Sequence, residues 1–533
     1  MPKSKPPRRL QQLVEEGLAA LAAGDQQLAA DLCRNALAER PDMARAHYLA
    51  AVIALEGGDR NMAQQALETV VGLNDTHSAA WAQLSRLFVT SGEFVKAQGC
   101  LINAVNTEHG NPAVLDLIGT VFRLAGNLEA SRQWHQKAVA KDDQHVPFLI
   151  NLANSHLYHG EQQAAEQILR GCVAIQPDNP QVHWMLSGTH TATSMQHVNE
   201  MHTLLESAVH PRSIAYLEYA IGKECEDQEE WPSAGEAFER GAAARRETVE
   251  YDEAGDIELF ATAEQLFTKG WLDQQPTGPD DSAPIFIVGE PRTGTTLLDR
   301  IIGAHSAVTS AGELRHLGFA LRQVTGVQEP RQFTSGLLRS AASADMAAIG
   351  DAYLASISEL RDAPRITDKL PFNYLYLPLI VAALPGAKIL HVTRDPMDTC
   401  FAIYKQHFAD AYLYSYDQQE LARHYVRYAH LMNTWRERLP GRFLDVSYED
   451  LVSNTETVAR QVCDYLDLPW DESCLRYFDD KGTVTTASAA QVREAPHDRS
   501  VGRWRHYAER LGAMQMILDE AGLLWTGTML KCR

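Results

Sequence analysis

Glycines at positions 24, 58, 92, 126 and 160 follow one another at a constant spacing of 34 residues. With glycine at about 7% of residues, four such coincidences from a given start have a chance of about 10⁻⁵. Five residues after each glycine stands a small residue: Ala29, Ala63, Ala97, Ser131 and Ala165. Pro41 and Pro177 share the same register, four periods apart. A glycine that turns the chain between two antiparallel helices, and a small residue that lets those helices approach closely, account for both features. The front of the chain is therefore expected to be a stack of helix pairs.

A 34-residue helix-turn-helix period resembles the tetratricopeptide repeat, which implies an α-solenoid. The register continues weakly through Ser194 and Gln228, and E-W-P-S-A-G-E-A-F-E-R-G-A-A-A (230–244) resembles a final repeat. About seven repeats are expected over residues 1–270. The segment D-Q-Q-P-T-G-P-D-D-S-A-P (273–284) then breaks the helical pattern with prolines and acids. A linker at 271–283 and a second domain at 284–533 follow from this. The resemblance implies a concave surface for a polypeptide partner or substrate, or for a copy of the same chain. A spacer for the second domain is the alternative.

The second domain opens on P-I-F-I-V-G-E-P-R-T-G-T-T (284–296). Ile285 to Val288 have the length and branching of a buried parallel strand, and Leu297 to Ile302 a helical pattern. Between them lies a glycine turn. Strand, glycine turn and helix cradle anions, because backbone N–H groups and the positive helix end both point at the ligand. The spacing of Gly289 and Gly294 matches the nucleotide-hydrolase loop, but Thr295 stands where that loop has its lysine, and the cation has moved to Arg292. An anion shorter than a triphosphate, bound without the usual lysine and magnesium, fits such a loop.

P-R-T-G-T-T-L-L resembles the 5′-phosphosulfate-binding loop of sulfotransferases, which use 3′-phosphoadenosine 5′-phosphosulfate (PAPS). Five further segments fall in the family order. S-A-V-T-S-A-G-E-L-R-H (306–316) is similar to the stretch that carries the glutamate base of protein-tyrosine sulfotransferases. The resemblance makes Glu313 the base that a weakly nucleophilic hydroxyl needs, with Arg315 and His316 on the acceptor side. I-T-D-K-L-P-F-N (366–373) places Lys369 where the family steadies the leaving oxygen. A-K-I-L-H-V-T-R-D-P-M-D-T-C (387–400) resembles the 3′-phosphate motif, with Arg394 on the phosphate and His391 in the core. V-S-Y-E-D-L (446–451) puts Tyr448 either by the nucleotide or in the core. In the last segment (486–505), Ser488 matches a serine near the sulfuryl group and Arg503-Trp504 a basic residue before tryptophan. The implied cofactor set is Arg292, Thr293, Gly294, Thr295, Thr296, Arg394, Tyr448, Arg499, Ser500 and Arg503, with Glu313, Lys369 and Ser488 catalytic.

Two departures stand out. The family usually has serine eight residues after the phosphate arginine, where this chain has Ala402, and the tyrosine-specific branch has arginine at the position of Gln406. Arg499 and Ser500 are the expected compensation.

The fold class implied is an α-solenoid followed by a three-layer α/β domain of the P-loop type with a parallel sheet. Composition bears on the partners. The formal charge of −21 is concentrated in front, −17 in residues 1–280 against −4 in residues 281–533. An acidic front half excludes nucleic acid, while the near-neutral rear half admits a polyanionic ligand. No run approaches a membrane span, and eight scattered cysteines without a C-x-x-C pair fit a reducing, cytoplasmic setting without metal. Sulfuryl transfer to a protein or peptide tyrosine is the leading expectation. A carbohydrate or small-molecule acceptor, or a scaffold whose second domain is inactive, are the alternatives, and a kinase or NTPase ranks third. A homo-oligomer is compatible with the array.

Overall fold

The computed structural model describes residues 7–276, 278–327, 332–479, 482–483 and 491–524. The chain divides into two compact units, Met1–His156 and Leu157–Arg533.

The first unit is a run of antiparallel helix pairs: Arg8–Ala22 with Gln26–Glu39, Ala44–Glu56 with Arg60–Leu73, Ser78–Ser91 with Phe94–Asn106, and Pro112–Leu124 with Leu128–Val139. The periodic glycines 24, 58, 92 and 126 hold φ between 76° and 84°, the left-handed region that a side chain rarely occupies. The next residue often completes the turn: Asp25, Asp59 and Asn127 each accept a hydrogen bond from the amide three residues on and so cap the second helix. Ala29, Ala63, Ala97 and Ser131 are buried at the crossing of each pair. The period thus encodes a turn, a cap and a close approach.

The second unit begins with more helices of the same kind, of which Pro211–Asp227 and Trp231–Arg246 form the last full pair. The register residues Ser194 and Gln228, which replace glycine here, are joined by a hydrogen bond from Gln228 Nε2 to the Ser194 carbonyl. The helix Glu253–Leu266 follows. Five parallel strands then form one sheet: β1 (Pro284–Gly289), β2 (Val308–Ser310), β3 (Arg365–Lys369), β4 (Lys388–Thr393) and β5 (Leu444–Ser447), in the order β2-β3-β1-β4-β5.

Alternation along β1 builds both layers. Ile285 and Ile287 pack with Leu298, Ile301 and Ile302 of the following helix and with Val446 and Val462. Phe286 and Val288 face the other way, into a core with Tyr353, Tyr374 and Trp435. That second core also contains Leu217, Tyr219, Phe238 and Phe260 from the repeat-like helices. The second unit's helices before the 271–283 segment and the sheet after it therefore share one interior. Tyr219 donates to the Tyr404 carbonyl at 3.1 Å, and Arg246 makes a two-pronged pair with Glu420. Among the described residues no helix is long and apolar enough to cross a membrane.

Candidate active site

The connection after β1 leads toward β2 on one side, and the connection after β4 leads toward β5 on the other. In an open parallel sheet the crevice between such diverging connections is where ligands bind. A cavity of about 290 Å³ lies there. The turn after β1 and the start of the helix Thr295–Gly303 line it with Arg292, Gly294, Thr295, Thr296 and Leu297. A helix leaves its first N–H groups without intrahelical acceptors, so this wall favours an anion.

Arg292 itself holds φ of 66°, a left-handed conformation that costs a non-glycine residue on the order of 1 kcal/mol. Arg394, at the end of β4, fixes it by donating from Nη1 to the Arg292 carbonyl at 2.8 Å. The other prong of Arg394 donates to the Ser500 carbonyl at 2.6 Å, and its guanidinium lies over the Tyr448 ring at 4.7 Å. One side chain thereby ties together three of the segments singled out from sequence. Burial, and then the charge of Arg394, pull the Arg292 pKa down to about 10. Two cations held this close leave a deficit that an anionic ligand relieves. Gly294, at φ of 101°, approaches Tyr448 so closely that a Cβ would sit 2.5 Å from the ring.

Glu313 also lines the cavity, and Lys369, buried at the end of β3, donates to it at 2.5 Å. The sequence separation is 56 residues, so the sheet alone brings the proposed base and proposed cation together. Tyr412, Phe408 and Pro371 form the apolar wall on that side.

Of the residues singled out, Arg292, Gly294, Thr295, Thr296, Glu313, Arg394, Tyr448, Ser500 and Arg503 share this cavity. Thr293 is buried and donates to the Glu290 carbonyl, which makes it a brace of the turn. Arg315 points to Gln332 at 3.1 Å, and neither it nor His316 is among the lining residues. Burial pushes the His316 pKa down to about 4. Arg499 pairs with Glu494 and is likewise absent from the lining, so it does not replace the group missing at Gln406. Ser488 falls outside the described residues. His391 is buried between Asp445 and the Tyr428 hydroxyl, at 2.5 and 2.6 Å, as a core position.

Three residues escaped the sequence reading. Lys405 lines the cavity one position before Gln406, beside Ala402, the departure already noted, which offers no hydroxyl. Asp398 accepts from the Gly502 and Trp504 amides and so closes the segment around residue 500 over the site. Glu226, on the helix Pro211–Asp227, accepts from Lys405 at 2.7 and 2.9 Å and from Arg503 Nε at 3.1 Å. Burial works to raise the Glu226 pKa, but the two cations win and hold it at about 2. The only advance signal for Lys405 was a cation one residue from where one was sought. Glu226 had none. Among the described residues there is no group of three or more histidine, cysteine, aspartate or glutamate side chains suited to a metal.

A sequence model of the sulfotransferase family matches residues 284–472, which span β1 to β5. Residues 284–472 are a sulfotransferase-family domain. An uncharacterised protein of Aquifex aeolicus is 29% identical over 394 residues, covering 70% of this chain and 50% of that one, so the chain spans half the length of that relative. A putative protein-tyrosine sulfotransferase of Caenorhabditis briggsae is 26% identical over 225 residues, covering 41% of this chain and 80% of the relative. The sulfotransferase domain of the Synechococcus PCC 7002 olefin synthase aligns with a TM-score of 0.32 at 20% identity, over 46% of this chain and 98% of that structure. The chain thus couples a front region of tetratricopeptide-like helices to a sulfotransferase-family domain with a parallel sheet.

Proposed function

We propose that this domain transfers a sulfuryl group from PAPS to an acceptor hydroxyl, and that the acceptor is a tyrosine in a protein or peptide. The observation that carries the reading is the contact of buried Lys369 with Glu313, which lines the cation-rich cavity. The acceptor oxygen attacks sulfur while its proton passes to the Glu313 carboxylate. The bond from sulfur to the bridging oxygen breaks, and its electron pair stays on the departing 5′-phosphate. Lys369, with Ser488 in the role the family resemblance implies, offsets the charge that builds there. The 292–296 amides and Arg292 take the 5′-phosphosulfate, while Arg394, Ser500 and Arg503 take the 3′-phosphate. The tetratricopeptide-like helices hold the polypeptide that carries the acceptor, and the buried free thiols fit a cytoplasmic setting.

The test is transfer of labelled sulfate from PAPS to acidic tyrosine-containing peptides, with Glu313→Gln alongside. Loss of a general base lowers the rate about 10²–10⁴-fold. The expected outcome is label on tyrosine that falls by that factor in the variant. Full transfer by the variant would remove Glu313 from the mechanism. Binding of adenosine 3′,5′-bisphosphate without transfer to these peptides would overturn the tyrosine acceptor and point to a carbohydrate or small hydroxyl compound.

A further inference from the structure

The geometry points to Glu226 as a positioning residue of the donor subsite, holding Lys405 and Arg503 so that their cations take the second phosphate of the nucleotide. This rests on the donor reading above and adds two residues that the reading does not contain. It also makes a helix of the repeat region part of the nucleotide site.

Glu226 is almost fully buried, and every donor around it comes from the sulfotransferase-family part of the chain or from the segment that follows it. Oε1 accepts from Lys405 Nζ, from Arg503 Nε and from the Tyr507 hydroxyl, and Oε2 accepts from Lys405 at 2.7 Å. One carboxylate therefore faces two cations, and a positive surplus remains on a wall that Lys405 and Arg503 share with Arg394. An ion pair serving only as a staple has no use for the second cation. The surplus also sits where the chain lacks its expected groups. Ala402 offers no hydroxyl, and the Gln406 side chain turns away to the His407 carbonyl. Lys405, adjacent in sequence and inside the cavity, restores the charge, and Glu226 sets its direction. A buried charge with an excess of partners is costly to dismantle, so the arrangement is rigid before any ligand arrives.

The test compares adenosine 3′,5′-bisphosphate with adenosine 5′-monophosphate by calorimetry on the full chain. The second ligand lacks only the 3′-phosphate. Lys405→Met is expected to weaken the bisphosphate about tenfold, as loss of one charge-assisted contact does, and to leave the monophosphate within about twofold. Glu226→Gln should shift the same ratio in the same direction by several-fold, and Glu226→Asp should recover part of it. A structural staple would weaken both nucleotides alike or lower stability alone, so an unchanged ratio in Lys405→Met overturns the proposal. If Glu226→Gln does not fold, Lys405→Met and Glu226→Asp still decide. Should Arg394→Ala abolish the 3′-phosphate preference while Lys405→Met leaves it intact, the donor reading stands and this inference falls. Absence of any nucleotide binding by the unaltered chain would remove both.

Discussion

Arg394 shows how a single side chain sets the site. Its two prongs end on carbonyls at positions 292 and 500, which lie 102 and 106 residues away in sequence. A lysine supplies the same charge from one point and cannot span both acceptors. Arg394→Lys is therefore expected to weaken binding of adenosine 3′,5′-bisphosphate by about tenfold or more and to leave the folded state intact, as checked by calorimetry beside thermal unfolding. Ala402 gives the opposite prediction. It lines the cavity, and a hydroxyl added there has a charged ligand to reach, so Ala402→Ser should tighten the same ligand up to about tenfold. Legibility at this scale followed locality. Arg292, Glu313 and Arg394 were readable because each sits in a short motif whose spacing is set by one strand end. Glu226 and Lys405 were not, since 179 residues separate them and only the packing of a helix on the sheet domain makes them neighbours.

Beneath the turn after β1 lies a buried chain of charges that belongs to no motif. His424 is stacked on Tyr414 at 3.7 Å and lies between Asp256, at 2.9 Å, and Glu290 of the turn, at 3.5 Å. Arg427 reaches Asp256 and Glu253 on the helix Glu253–Leu266. Burial pulls the His424 pKa down, but the two carboxylates outweigh it and raise it to about 9. A histidine raised in the folded state adds stability that is complete below its unfolded pKa, about 6.5, and lost as pH climbs through the folded value. The second unit should thus lose stability between about pH 6.5 and 9, by at most about 3 kcal/mol. Urea unfolding across that range checks it, and His424→Gln should flatten the slope. An unchanged slope in the variant would remove the histidine as its source. The elements themselves were legible, from the 34-residue period and from the strand-turn-helix pattern. Their tether was not, because ion pairs across elements leave no periodic trace.

For the whole molecule, composition and packing divide the chain differently. The proline-rich segment at 271–283 reads as a linker, yet the helices between residue 157 and that segment lie in the same compact unit as the sheet. Tyr219, Phe238 and Phe260 sit in the core that covers one face of that sheet. A fragment starting near residue 280 would uncover that face and lose burial on the order of 1.5–3 kcal/mol for each large side chain. It is expected to aggregate, whereas residues 157–533 should fold and bind the nucleotide; size-exclusion chromatography and circular dichroism of the two fragments test this. A well-folded 280–533 fragment would count against the shared core as a requirement.

That shared interior also sets a timetable for synthesis. The helix bearing Tyr219 is made 185 residues before its acceptor at Tyr404. At about 5–20 residues per second, its aromatic face leaves the ribosome roughly 10 to 40 s before the surface that will cover it. The turns coded every 34 residues let the earlier pairs close as they emerge, but the last pair must wait, apolar and exposed, for a sheet that does not yet exist.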